Sequence, residues 1–302
     1  MDTAVQSPAT PTAPAAEYGD FLLLQTRYRR TWWIWFACCA LLTGAALWVR
    51  DIYGIGTAVL SAVALPVVSG QLSGKLSRYY KAEIVPQYVG QFCEAGRFTP
   101  ESGIGESVFR SCGLFDTAPD RYRTEDLIEG RVGKTAFRFA EVHAQKKRTT
   151  YTRNGTRTTW VDIFRGFFFV ADFNKDFRGQ TTLVPNYWGS RWLAGRARVQ
   201  LENPRLMKEF LVCSTDQTEA RYILTPALME RIMRLWDKYP GRLSISFTGS
   251  CIQVARSCMK NHYEASIWRP LGKCLARDTE AMRGLTSIVE ELNMNTRIWT
   301  KE

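Results

Sequence analysis

The spacing of apolar and polar positions changes three times along the chain. Residues 1–16 (MDTAVQSPATPTAPAA) are small, proline-rich and nearly uncharged, the composition of a disordered tail. A short amphipathic stretch, Tyr18 to Arg30, leads into nineteen residues without a charge, Thr31 to Val49. After Arg50 and Asp51 come twenty-three more, Ile52 to Gly74. At about 1.5 Å per residue each run is long enough as a helix for a hydrocarbon core of roughly 30 Å. Trp32, Trp33 and Trp35 at one edge, with Trp48 and Tyr53 at the other, match interfacial aromatics. A soluble hairpin would need the rest of the chain to enclose two apolar helices. A re-entrant second segment bent at Pro66 is the other alternative.

Beyond the spans, Lys75 to Ala95 reads as a helical extension bent at Pro86, followed by a short helix near Gly105–Cys112. From Leu127 to Pro185 the period becomes two. Phe137, Phe139 and Glu141 alternate, and Trp160–Phe164 and Phe167–Val170 are rich in aromatic and branched residues. Asn154-Gly155 supplies a hairpin turn between them, giving a long hairpin with a buried base and a polar tip. Further strands are expected near Gln180–Val184, Arg198–Glu202, Phe210–Ser214 and Leu243–Val254. Two main amphipathic helices punctuate them. One starts at Thr225-Pro226 with a stripe of Leu228, Met229, Ile232, Met233, Leu235 and Trp236. The other covers about Asp278 to Asn293, with Met282, Leu285, Ile288, Val289 and Leu292 on one face. Strand runs with so few helices argue for an α+β fold. The expected organisation is a tail at 1–17, a transmembrane helical hairpin at 18–81 with spans of about 31–49 and 52–74, and a β-rich cytoplasmic α+β domain at 82–302.

The averages hide this division. A 45% hydrophobic content and a mean hydropathy of −0.21 describe an ordinary soluble protein, and they exclude a disordered chain. The net charge of +11 splits into +3 on residues 1–81 and +8 on residues 82–302. Arg27, Arg29 and Arg30 precede the first span, and Lys75, Arg78 and Lys81 follow the second. The positive-inside rule then places both termini in the cytoplasm, as a multi-pass membrane protein. The eight cysteines form no C-x-x-C pair and the histidines are His143 and His262, so neither a metal site nor a cofactor is implied.

Several motifs fail on inspection. Gly130 to Thr135 (GRVGKT) resembles the end of a phosphate loop. Position 128 is Ile where a glycine is needed, and a strand follows instead of a helix. A glycine turn into a strand is the better reading. Asp172 to Asp176 mimics half a calcium loop, but Phe177 and Leu183 replace the required glycine and glutamate, leaving a polar turn between strands. His143 and His262 lack a recognisable nucleophile motif. Glu125-Asp126 and Glu290-Glu291 are adjacent in sequence and diverge on regular elements, so no catalytic residue is assigned. The most functional-looking feature is the hairpin tip. Lys146, Lys147, Arg148, Arg153 and Arg157 fall within twelve residues without an acidic partner. Near a membrane they suit anionic headgroups at about 1 kcal/mol each. A merely solvated loop is the plain alternative, and nucleic-acid phosphate is the least favoured partner.

The chain resembles a bacterial membrane-protein family catalogued as domain of unknown function 3137. The residues that carry the resemblance are Ser111, Leu114-Phe115, Tyr122, Glu125-Asp126, Gly130, Phe137, Phe139, Glu141, Phe164-Arg165-Gly166 and Asp172 to Lys175. Asp216, Glu219 to Pro226, Met229 to Arg231, Glu291 to Asn293 and Asn295 to Trp299 continue it, over roughly residues 75–300. The resemblance implies paired N-terminal transmembrane helices and a cytoplasmic domain, and brings no reaction, ligand or catalytic set. The reading is a membrane-anchored cytoplasmic binding or scaffold module, touching anionic lipid through the basic hairpin and joined by a protein partner or a second copy. A component of a transport or channel assembly, or an enzyme with an unrecognised site, are the alternatives. Neither span holds an ionisable residue that would mark an ion path.

Overall fold

A computed structural model describes residues 18–48, 53–152, 155–186, 197–292 and 294. The tail at 1–17 lies outside the described residues. In chain order the elements are α1 (Gly19–Trp48), α2 (Tyr53–Tyr79), a π turn (Tyr80–Ile84), α3 (Val85–Val89), β1 (Glu94–Thr99), α4 (Glu106–Ser111), β2 (Arg121–Val132), β3 (Thr135–Thr152) and β4 (Gly155–Pro185). Then come β5 (Ala197–Arg198), α5 (Pro204–Glu209), β6 (Phe210–Ser214), α6 (Gln217–Ile223), α7 (Pro226–Lys238), β7 (Leu243–Ser257) and α8 (Leu271–Glu291). The chain divides into two compact units, residues 1–87 with 262–281 and residues 88–261 with 282–302.

In the first unit, α1 and α2 are both long and apolar enough to cross a membrane. Leu23, Leu41 and Leu60 are each at least 70% exposed, so the chain does not enclose these helices as a soluble core would. The amphipathic stretch leads into the first span as one continuous helix. Phe21 and Gln25, one helical turn apart, are buried, and the helix runs on unbroken to Trp48. Past α2 the Val85 N–H reaches back to the Tyr80 carbonyl, a π-type bond, just before Pro86 removes the next donor. The expected bend at Pro86 therefore takes the form of a widened turn, with helix on both sides.

Residues 262–281 complete this unit. Gln25 donates to the carbonyls of Ser266 (3.0 Å) and Arg269 (2.8 Å), and Arg29 donates to that of Ile267 (2.9 Å). Trp268 meets Trp32 edge-on at 4.7 Å and donates from its indole to Ser69 Oγ at 3.1 Å. Trp268 thus joins the tryptophans at the foot of both helices, where an amphipathic ring suits the interface. Below it, fully buried Asp278 accepts from Tyr80 Oη (2.9 Å) and from Arg277 Nε (2.7 Å), while Lys81 pairs with Glu264 at 3.2 Å.

The second unit is an antiparallel sheet in the order β1-β2-β3-β4-β6-β5, with β7 also paired to β4. The α+β expectation holds. β4 is its spine: β3 and then β6 take one edge, and β7 takes the other. The expected separation of strands at 164–170 and 180–184 is corrected, because β4 runs through both. Asp172 to Asp176 is an irregularity within that strand, with the register slipping between Asp172 and Phe177, and not a turn between strands. The expected strand at 198–202 shrinks to Ala197–Arg198, and the last helix starts at Leu271, ahead of Asp278.

Alternation sorts the faces of the sheet. Ala140, Val142, Ala144, Phe164, Phe168 and Val170 pack with Phe109 and Leu114 in one core cluster. On the opposite face Phe137 stacks on Phe169 at 5.7 Å, and Phe139 meets Phe167 edge-on. Thr225 caps α7, its hydroxyl accepting from Leu228 N–H, and the predicted apolar stripe is buried. Glu291 pins α7 to α8 by a 2.7 Å bond from Lys238. That bond, against the opposing effect of burial, holds the Glu291 carboxyl below its usual range.

Candidate functional site

Two features of the second unit carry chemistry. The first is a ribbon. β2 releases β3 at the pair Arg121–Gln145, and from there β3 and β4 pair only with each other. Seven cross-strand pairs, Lys146–Val161 to Thr152–Gly155, make a two-stranded arm of roughly 20 Å. Thr152 pairs with Gly155; the expected Asn154-Gly155 turn and the cation Arg153 involve residues 153–154, which lie outside the described residues.

The candidate cations differ in their surroundings. Lys146 reaches Asp120 (3.4 Å) and the Ala118 carbonyl (3.2 Å), and Asp120 also accepts from the Lys147 backbone N–H at 2.8 Å. The Lys147 amide, ahead of the two lysine charges, holds the Asp120 carboxyl below its usual range. Lys146 therefore belongs to the root of the ribbon. Arg148 and Arg157 are exposed farther out, with no ion-pair partner among the described residues. Tyr151, 82% exposed, and Trp160 lie on the opposite face of the ribbon, where the Arg121 guanidinium stacks 4.1 Å over half-exposed Trp160.

The second feature is a cavity of about 640 Å³ at the foot of the ribbon, lined in part by Arg123, Glu125, Glu141, His143, Arg165, Cys258 and Lys260. Its floor follows from the face that carries Phe137 and Phe139. Two and four residues farther along β3 the same face presents Glu141 and His143, so an apolar side becomes a charged one. Register then assembles the rest: Arg123, His143 and Arg165 lie abreast on β2, β3 and β4, with Glu125 opposite Glu141 in the neighbouring row. A bulge between Glu125 and Ile128 separates the adjacent carboxylates, leaving Asp126 fully buried and Glu125 in the cavity wall.

His143 Nε2 and Gln145 Nε2 each lie 2.8 Å from Asp162 Oδ1. Burial raises the Asp162 carboxyl, but these bonds and the Arg165 charge outweigh it and leave the group below its usual range. An ionised carboxylate only accepts, so His143 Nε2 is the donor of this bond. This is the oriented-base half of a nucleophilic arrangement. The Cys258 thiol in the same cavity instead donates to the Lys260 carbonyl at 3.6 Å. The arrangement favours holding a charged ligand over attacking one. Burial pushes the Tyr122 phenol well up, and its hydroxyl donates to the Ile104 carbonyl at 2.7 Å, fixing one wall. His262 falls in the first unit. The Gly133-Lys134 stretch is the tight β2–β3 turn, closed by the Val132–Thr135 pair.

Sequence reading selected the ribbon cations and noted His143 and Glu125 without joining them. The signal it missed is the same-face series Phe137, Phe139, Glu141, His143, which marks where a buried strand face opens to solvent.

A family model described as protein of unknown function (DUF3137) matches residues 162–294. The match is narrower than the 75–300 span of the resemblance and leaves out Ser111 to Glu141. No curated protein matches the chain. Among solved structures, the crystal structure of the mycobacterial trehalose monomycolate transport factor A, TtfA, aligns at 10% identity with a TM-score of 0.34, over 71% of this chain and 94% of that one.

Proposed function

We propose, for a chain whose residues 162–294 belong to the DUF3137 family, a membrane-anchored binding module that presents its basic ribbon to anionic lipid headgroups. The carrying observation is the ribbon itself: a two-stranded arm outside the sheet, with Arg148 and Arg157 exposed on one of its faces. A two-stranded ribbon has little core of its own, so contact with another surface would order it. Exposed cations match a headgroup layer at about 1 kcal/mol per charge.

Hydrogen exchange on the full-length protein in nanodiscs tests this. Amides of 146–152 and 155–161 should exchange more slowly in discs containing phosphatidylglycerol than in phosphatidylcholine alone, and about 1 M salt should erase the difference. Changing Arg148 and Arg157 to Gln should remove about 2 kcal/mol, roughly a thirtyfold loss. Equal exchange in both discs would reject the lipid contact.

The basic residues flanking the two spans support an inner-membrane topology with both termini cytoplasmic. With a membrane-impermeant maleimide, Tyr151→Cys should stay unlabelled in intact cells and react after permeabilisation. Asp51→Cys, in the turn between the spans, should react in intact cells. Labelling of Tyr151→Cys in intact cells would reverse the topology.

A further inference from the structure

We propose that the cavity at the foot of the ribbon binds a small phosphate ester whose far end carries an ammonium or hydroxyl donor. Arg123, His143 and Arg165 stand abreast on three neighbouring strands, about 5 Å apart per step, and Lys260 joins the same wall. Arg123 and Arg165 flank His143 from its two neighbouring strands, so a single anion in the cavity meets guanidinium groups from both sides. Arg123 and Lys260 have no ion-pair partner among the described residues, and Asp162 offers its carboxylate to His143 and Gln145. A phosphate presents several oxygens to guanidinium forks, the geometry that arginine recognises best.

The neighbouring row sets the shape of the rest of the ligand. Glu125 and Glu141 face each other two residues farther along the same strands, about 7 Å from the row of Arg123, His143 and Arg165. They repel a second anion and attract a donor. The cavity therefore has one anionic and one donor subsite, and about 640 Å³ holds a small molecule of that kind. Free phospho-metabolites and phospholipid headgroups share this chemistry. The site is separate from the outward part of the ribbon, so it stands whether or not the ribbon touches lipid.

Calorimetric titration of the full-length protein in dodecyl maltoside with O-phosphoethanolamine is the test. Saturable binding at one ligand per chain is expected. Arg123→Gln and Arg165→Gln should each weaken it at least about tenfold, the order of one charge-assisted hydrogen bond. Lys260→Gln, at an exposed position outside the strands, should weaken it without affecting folding. Glu125→Gln should weaken O-phosphoethanolamine but leave inorganic phosphate unchanged, which separates the two subsites. Bound ligand should also slow maleimide labelling of Cys258. Phosphatidylethanolamine nanodiscs that abolish binding of the soluble ester would assign the site to a headgroup; retained binding would assign it to a free ester. No saturable binding, or binding unchanged in Arg123→Gln, Arg165→Gln and Lys260→Gln, would overturn the proposal.

Discussion

Replacing Asp278 with alanine is expected to cost about 3–5 kcal/mol, the range for removing one partner of a buried ion pair. Asp278 is fully buried and accepts from Tyr80 Oη, Arg277 Nε and Arg277 Nη2 at 2.9, 2.7 and 3.2 Å. Burial works against the Arg277 charge, yet the Asp278 bond and charge outweigh it and raise that group further. Alanine would leave the guanidinium its bond to the Glu264 carbonyl, at 3.2 Å, and remove the Asp278 acceptor from Tyr80 Oη. Tyr80→Phe loses one hydrogen bond and should cost about 1 kcal/mol. Thermal unfolding of the detergent-solubilised protein, followed by the cleavage of 262–281 by protease, separates the two. An Asp278→Ala variant that melts with wild type would show that the buried cluster carries no net stability.

Gly166→Ala should be nearly as severe, at about 3 kcal/mol, from strain and overpacking together. Gly166 has φ of +152°, and an added Cβ would lie 2.6 Å from the Cys258 nitrogen and closer still to the Arg256 carbonyl oxygen. Those are backbone atoms of the strand paired with it, through Gly166–Ser257 and the 2.9 Å bond from Cys258 N–H to the Arg165 carbonyl. Relief would part β4 from β7 at the cavity wall. Gly249→Ala is the control. It also has positive φ, at +60°, but no atom lies within 4 Å of its added Cβ, so it should cost about 1 kcal/mol. Equal denaturant midpoints for the two variants would remove the steric argument.

What the sequence showed of the fold follows from which forces are local. Two uncharged runs, a Thr-Pro cap with its stripe and the Phe137–Phe139 alternation are written in neighbouring residues, and each became the expected element. β4 was read as pieces because Asp172 to Asp176 has turn composition; pairing to β7 on either side of that irregularity, at Asp172 and at Phe177, keeps it one strand. The ribbon cations were visible as a charge run, but the role of Lys146 depends on Asp120, which β2 brings close. The cavity was hidden for the same reason. Arg123, His143 and Arg165 are about twenty residues apart, and only strand register sets them abreast.

The closure of the first unit also has a consequence in time. Gln25 is bonded to residues 241 and 244 positions later, and Tyr80 to one 198 positions later. At roughly 5–20 residues per second, a ribosome takes on the order of 10–50 s to make the chain that separates them. For most of that interval α1 and then α2 have been made while Trp268, Arg277 and Asp278 do not yet exist. The buried faces of Phe21 and Tyr80 must wait uncovered, so the helices that emerge first are the last to be finished. A chain truncated before residue 262 could contain both apolar helices and still never complete the unit they begin.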